Sequence, residues 1–216
     1  MLTIHTADLL VTGKPGQAPV ANGAVLVDGR VLAGSGTYEE LAADRPAARV
    51  RRWPGLLAPG LLNRYGPELL EQAYHPDPRE ADELGSEPVT GAALAALPMT
   101  AARWGASARR GVQRMLALGT VAVAGDLWRP AVVDAVRRVG LTIEERFEDP
   151  PGTPGLDPLA GGRSLAEAIL MPLVLLEGMD ATFAVFDVPD EAALTERGAA
   201  TCMATVVDGR LMHRRR

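Results

Sequence analysis

The tetrapeptide Val-Asp-Gly-Arg occurs twice, as Val27-Asp28-Gly29-Arg30 and as Val207-Asp208-Gly209-Arg210, near opposite ends of the 216-residue chain. Each copy stands between apolar runs, 24–27 and 31–33 at one end, 204–207 and 211–212 at the other. Asp-Gly in that setting is a strong hairpin signal, because a type I′ turn needs positive φ at both central positions. An isolated two-stranded hairpin is marginal in water. Each end therefore needs a partner, and the simplest partner is the other end. The repeat predicts one β-sandwich built from both termini.

Further strands are expected within 2–11, at 50–53 before Pro54-Gly55, and at 182–188 before Pro189. Thr37 followed by Glu40 has the spacing of a capping box opening a short helix. The middle of the chain changes period. Trp104, Ala108, Gly111, Val112, Met115 and Leu116 recur at helical spacing and stop near Gly119. The apolar run 120–124 then reads as a strand buried on both faces. Val132, Val133, Val136 and Val139 mark a second helix, with Gly140 as its C-terminal cap. Residues 141–147 give a third strand. With 56–63 as the first, the order is strand–helix–strand–helix–strand, a right-handed parallel unit. The Pro- and Gly-rich run 149–155 reads as a linker. Ser164 and Glu167 cap a last apolar helix through Leu176, interrupted at Pro172. Residues 68–88 hold seven acidic side chains (Glu68, Glu71, Asp77, Glu80, Asp82, Glu83 and Glu87) against Arg79 alone. Their irregular spacing reads as a solvated loop.

Composition excludes several functions. Cys202 is the only cysteine, so there is no internal disulfide and no cysteine-built zinc site; in a strand-like run it reads as a small buried hydrophobe. A net charge of −5 with no basic stripe among aromatics argues against nucleic acid as a partner. No apolar run approaches the ~18 residues of a membrane span, and the N-terminus lacks a basic region followed by an apolar one. The expectation is a cytoplasmic protein without a membrane partner.

The run Pro59-Gly60-Leu61-Leu62-Asn63-Arg64-Tyr65-Gly66-Pro67-Glu68 reads as a buried strand turning into a loop. It resembles the first barrel strand of the amidohydrolase superfamily, Pro-Gly-Leu/Phe-Val/Ile-Asn-x-His-x-His. The runs 23–36, 118–126 and 176–187 match the same family in order, closest to its imidazolonepropionase-like and aminodeoxyfutalosine-deaminase-like branch. The resemblance implies a composite sandwich over 1–55 and 177–216, and a truncated β/α barrel-like segment over 56–176. The fold class expected is mixed α/β: a β-sandwich from both termini plus a partial parallel barrel.

The resemblance also implies a metal-dependent hydrolase of carbon–nitrogen bonds using zinc or iron, but the residues depart from it. Tyr65 and Pro67 stand where the family has its two metal-binding histidines. Only 56–149 is barrel-like, whereas a complete eight-stranded barrel takes about 250 residues. The later histidines and catalytic aspartate of the family have no counterpart. A bound metal lowers the pKa of water from 15.7 to about 7, worth on the order of 12 kcal/mol in forming hydroxide. No side chain here replaces that effect. The reading is therefore a non-catalytic ligand- or partner-binding protein, with no catalytic residues, no metal site and no cofactor. The alternative is a hydrolase of non-peptide carbon–nitrogen bonds, such as a cyclic amide hydrolase or an aminodeoxyfutalosine-type deaminase.

A small-molecule site, if retained, is expected at the C-terminal ends of the parallel strands, lined by Asn63, Arg64, Tyr65, Glu68, Asp126, Glu144 and Glu145. The same residues can instead cap strands or face solvent. An incomplete barrel leaves an open sheet edge and an apolar face. The helix at 164–176 could cover it, but homodimerisation through it is the expectation.

Overall fold

The computed structural model describes residues 1–173 and 177–215. The N-terminal part contains β1 (Leu2–Thr6), β2 (Leu9–Leu10), β3 (Val20–Ala21), β4 (Gly23–Asp28), β5 (Val31–Thr37), α1 (Tyr38–Asp44), β6 (Arg49–Arg52) and β7 (Leu56–Pro59). One sheet has the order β5-β4-β1-β6. Alternation along β4 serves two cores, because successive side chains point to opposite faces. Ala24 and Leu26 join Ile4 and pack with Tyr38 and Leu41 of α1, while Val25 and Val27 face the other way. The capping box is present: Thr37 Oγ1 accepts from the Glu40 N–H, and Glu40 accepts from the Thr37 N–H at 3.2 Å.

The middle runs through β8 (Leu61–Asn63), α2 (Gly66–Leu70), β9 (Ala73–Tyr74), α3 (Ala81–Leu84), β10 (Val89–Thr90), α4 (Gly91–Ala95), α5 (Ala101–Leu116), β11 (Thr120–Ala124), α6 (Pro130–Arg138), β12 (Thr142–Glu144) and α7 (Leu165–Ala168). The parallel sheet has the order β12-β11-β8, and no closed barrel forms among the described residues. Trp104, Ala108, Val112 and Met115 of α5 and Val132 and Val136 of α6 bury one side of it with Val121 and Val123.

Three expectations are corrected here. The strand expected at 56–63 breaks at Gly60, where β7 leaves for another sheet. A Cβ at Gly60 would lie 2.3 Å from Val121 Cγ2, so only glycine fits the crossing. The third parallel strand stops at Glu144 because Arg146 turns away to donate to Glu68 and to the Arg64 carbonyl. The helix expected from Ser164 ends at Ala168, with Ile169 extended; the rest of that expectation, 174–176, lies outside the described residues. Instead, Ile169 bridges Leu61, and the Leu170 N–H donates to the Gly60 carbonyl at 3.2 Å. That contact closes the β8 edge of the parallel sheet.

The acidic stretch is a solvated loop only in part: Asp82, Glu83 and Glu87 are exposed, but its first half packs down. Glu71, Tyr74 and His75 are buried. The Tyr74 hydroxyl donates to Glu80 at 2.5 Å, and Arg103 of α5 donates to both. The Tyr74 hydroxyl, the Asp77 N–H and the Arg103 guanidinium hold the Glu80 carboxyl below its usual range. Opposite charges from α5 fold this segment down, which charge counting along one element could not show.

The chain returns through β13 (Phe183–Phe186), α8 (Glu191–Arg197), β14 (Cys202–Val207) and β15 (Arg210–Arg214). These build a second sheet, β15-β14-β13-β7-β2-β3, from both ends of the chain. Its face meets the first sheet through Val25, Val27, Leu32, Trp53, Leu57, Phe183, Val185 and Val206. Burying a Phe or Leu side chain contributes about 1.5–3 kcal/mol. This shared core is what joins the termini.

The repeated tetrapeptide forms two different turns. Val207 pairs with Arg210, and Asp208 and Gly209 both take positive φ, 51° and 71°, as a type I′ turn requires. At the other end Asp28 pairs with Val31 and with Leu2 of β1, so it stays extended and Gly29-Arg30 form the tip. The two tips touch. A Cβ at Gly209 would lie 2.2 Å from the Gly29 carbonyl oxygen.

Candidate functional site

At the C-terminal ends of the parallel strands the residues resembling the family motif are committed to the protein's own backbone. Fully buried Asn63, the last residue of β8, donates from Nδ2 to the carbonyls of Gly155 and Leu156 at 3.0 and 3.2 Å. Its Oδ1 accepts from the Tyr65 N–H at 3.0 Å. The Tyr65 hydroxyl donates to the Pro151 carbonyl at 2.6 Å. The linker therefore lies across the strand ends, tied there by two side chains of the first turn. These two residues give three of the linker's backbone carbonyls a side-chain partner.

Pro67 follows as the first turn of α2, where a missing N–H costs nothing. Its ring packs on Gly125, where a Cβ would lie 2.6 Å from Pro67 Cδ. Neither position fits a metal ion. The tyrosine oxygen is occupied by a carbonyl, and proline offers no donor atom. Among the described residues no three His, Cys, Asp or Glu side chains are placed to hold a metal. His5 lies in β1, His75 beside α5 and His213 in β15. Burial lowers the imidazole pKa of all three, and that of His5 to about 4. Cys202 is buried, and burial pushes its thiol up to about 11.

Glu68 accepts at both carboxylate oxygens from Arg146, at 3.0 and 2.9 Å. Arg146 also reaches the Arg64 carbonyl and Asp149. The Arg64 guanidinium donates to the Glu167 carbonyl at 2.9 Å. Asp126 is exposed at a separate cleft beside Trp128 and Arg146. Glu144 lines a different, largely apolar cavity of about 250 Å³ with Thr142, Leu170 and Met171, and Glu145 is exposed. The seven residues expected to line one site thus do not form one: four lie at the turn, Asp126 and Glu144 line separate cavities, and Glu145 faces solvent. Asn63, Arg64, Tyr65 and Glu68 are brought together, but as clamps on the linker and on Arg146.

A larger cleft of about 960 Å³ opens between α2, α4, α5 and the linker. Glu71, Trp104 and Arg129 line it. Glu71 was legible only as one charge among seven. Arg129, outside any motif, gave no signal.

No family model and no curated protein matches the chain. Solved structures do show partial likeness. A. niger ochratoxinase is 21% identical with a TM-score of 0.44, over 67% of this chain and 31% of that one. Helicobacter pylori aminofutalosine deaminase is 14% identical with a TM-score of 0.43, over 74% and 36%. Zinc-complexed atrazine chlorohydrolase TrzN from Arthrobacter aurescens TC1 is 15% identical with a TM-score of 0.46, over 66% and 35%. These are deaminases and hydrolases of the amidohydrolase superfamily, which the turn after Pro59 resembles. The chain spans about a third of their length. Likeness of this extent does not bear on activity.

Proposed function

We propose that this chain is an amidohydrolase-like protein that has lost metal-dependent hydrolysis and binds a ligand or partner instead. The observation supporting this reading is the sealed turn: the Tyr65 hydroxyl donates to Pro151, Asn63 holds 155–156, and Pro67 fills the next position. A substrate entering over these strand ends would have to displace a linker held by about three hydrogen bonds, each worth about 1 kcal/mol. It would then meet no activating donor set. The test is turnover of cyclic ureides and amino-purine nucleosides by the purified protein supplied with zinc or iron. Absence of turnover supports the reading; metal-dependent release of ammonia or ring opening establishes a carbon–nitrogen hydrolase in its place.

Self-association through the partial barrel belongs to the same proposal. With β8 closed by Ile169, the outer edge of β12 is the one that a second copy would extend. Light scattering at micromolar concentration decides this: a dimer supports it and a monomer removes it.

A further inference from the structure

The cleft beside α2 contains two opposite charges that do not satisfy each other. Glu71 is 4% exposed, and its Oε1 accepts the N–H groups of Trp128 and Arg129 at 3.0 and 2.6 Å, at the start of α6. A carboxylate is favoured there by the helix dipole as well as by those donors. Its other oxygen, Oε2, is buried without a hydrogen-bond partner among the described residues. The Arg129 guanidinium carbon lies over two indoles, 4.3 Å from the Trp104 centroid and 3.8 Å from that of the exposed Trp128. Its Nε is buried and equally unpartnered among the described residues. Leaving such groups unpaired is costly, more so when they are charged. The two aromatic contacts restrict the guanidinium before a ligand arrives.

Charge logic narrows the occupant. A simple cation suited to Glu71 would sit beside Arg129, and a simple anion suited to Arg129 would sit beside Glu71. Glu68, on the same wall, is already neutralised by Arg146. A molecule carrying both charges meets neither penalty. Leu69, Leu94, Leu156 and Trp104 give the remaining wall an apolar part, beside the polar Gln72, Thr90 and Thr153 and the exposed carboxylate Glu87. We propose that this cleft binds a small zwitterion with an apolar side chain, an amino acid or dipeptide, whose ammonium meets Glu71 and whose carboxylate meets Arg129. The proposal rests on the ligand-binding half of the reading above, but uses residues away from the sealed turn. Its failure is read by titration, and failure of that reading by turnover.

The test is calorimetric titration with L-phenylalanine and L-leucyl-L-leucine, which carry the two charges at two separations. Phenethylamine and 3-phenylpropionate each keep one charge. Saturable binding of either zwitterion is expected, weakened about tenfold or more by loss of one charge from the ligand. Glu71→Gln, which keeps an oxygen for the two N–H groups, and Arg129→Gln should weaken it similarly. Ala95→Trp narrows the exposed mouth without touching either charge and should also reduce binding, which keeps the test open if Glu71→Gln fails to fold. No binding of either zwitterion to folded protein would overturn the proposal. So would equal binding of the one-charge analogues, or affinity unchanged in every folded variant.

Discussion

Arg30, at the tip of the first hairpin, donates to Asp208, at the tip of the last, at 2.8 Å. The pair joins the two copies of one tetrapeptide across the seam where the chain ends meet. Both side chains retain exposure, 56% for Arg30 and 27% for Asp208, so the bridge itself contributes at most about 1 kcal/mol. Steric fit beneath it matters more. Gly209 lies against the Gly29 carbonyl, and its N–H donates to the Ala181 carbonyl at 2.8 Å.

Identical tetrapeptides should therefore respond differently to the same substitution. At Gly29, with φ of 61° and nothing within 4 Å of a new Cβ, Gly29→Ala should cost about 1 kcal/mol from backbone strain alone. Gly209→Ala adds a clash with backbone and should cost at least about twice as much. Urea unfolding of both variants measures the difference; equal losses would remove the tip-to-tip contact from the account.

The linker clamp predicts a graded effect. Tyr65→Phe removes one hydrogen bond and should cost about 1 kcal/mol, whereas Asn63→Ala removes three from a fully buried side chain and should cost about 2–3 kcal/mol. Both should raise amide exchange across the linker at 150–156. Unchanged exchange there in Asn63→Ala would mean that the clamp does not hold the linker.

Acid should weaken the sandwich core through His5. Its Nδ1 accepts from Trp53 Nε1 at 3.2 Å, and its ring meets Phe183 edge-on at 5.0 Å. Burial, with Arg51 nearby, lowers its pKa from 6.5 to about 4. The folded state therefore prefers neutral imidazole and the unfolded state binds the extra proton. Stability from this group is complete above pH 6.5 and is lost as pH falls toward 4, by up to about 3 kcal/mol. His75, also lowered by burial, acts in the same direction. Denaturant midpoints at pH 7 and 5 for the wild type and His5→Gln test this. A variant with the same pH slope as the wild type would place the effect elsewhere.

The duplicated hairpin signal, the capping boxes at Thr37 and Ser164, and the helix–strand alternation through β11 were all legible in the sequence. They depend on local periodicity and turn chemistry. The break at Gly60 was not, because it is set by Val121, a distant neighbour that leaves no room for a side chain. The acidic stretch misled for a related reason: Arg103 and Arg110, which partner Glu80 and Asp77, come from α5. Asn63 and Tyr65 were found, but their clamping role depends on carbonyls of the linker. Glu71 and Arg129 become a pair of interest only once α6 places them side by side.

Restoring histidine at the motif should not restore chemistry. Tyr65→His with Pro67→His removes the Pro151 contact and supplies two ligands where a hydrolytic site needs about three plus an open position for water. The double variant should be less stable than the wild type and should show no metal-dependent turnover. Turnover in it would mean that the remaining ligands are present and that the two substitutions alone silence the protein.

Metal content of the wild-type protein tests the central claim most directly. After expression with excess zinc and iron and removal of loosely bound ions, elemental analysis should find well below one metal per chain. One zinc or iron per chain, lost together with a hydrolytic activity on chelation, would contradict it.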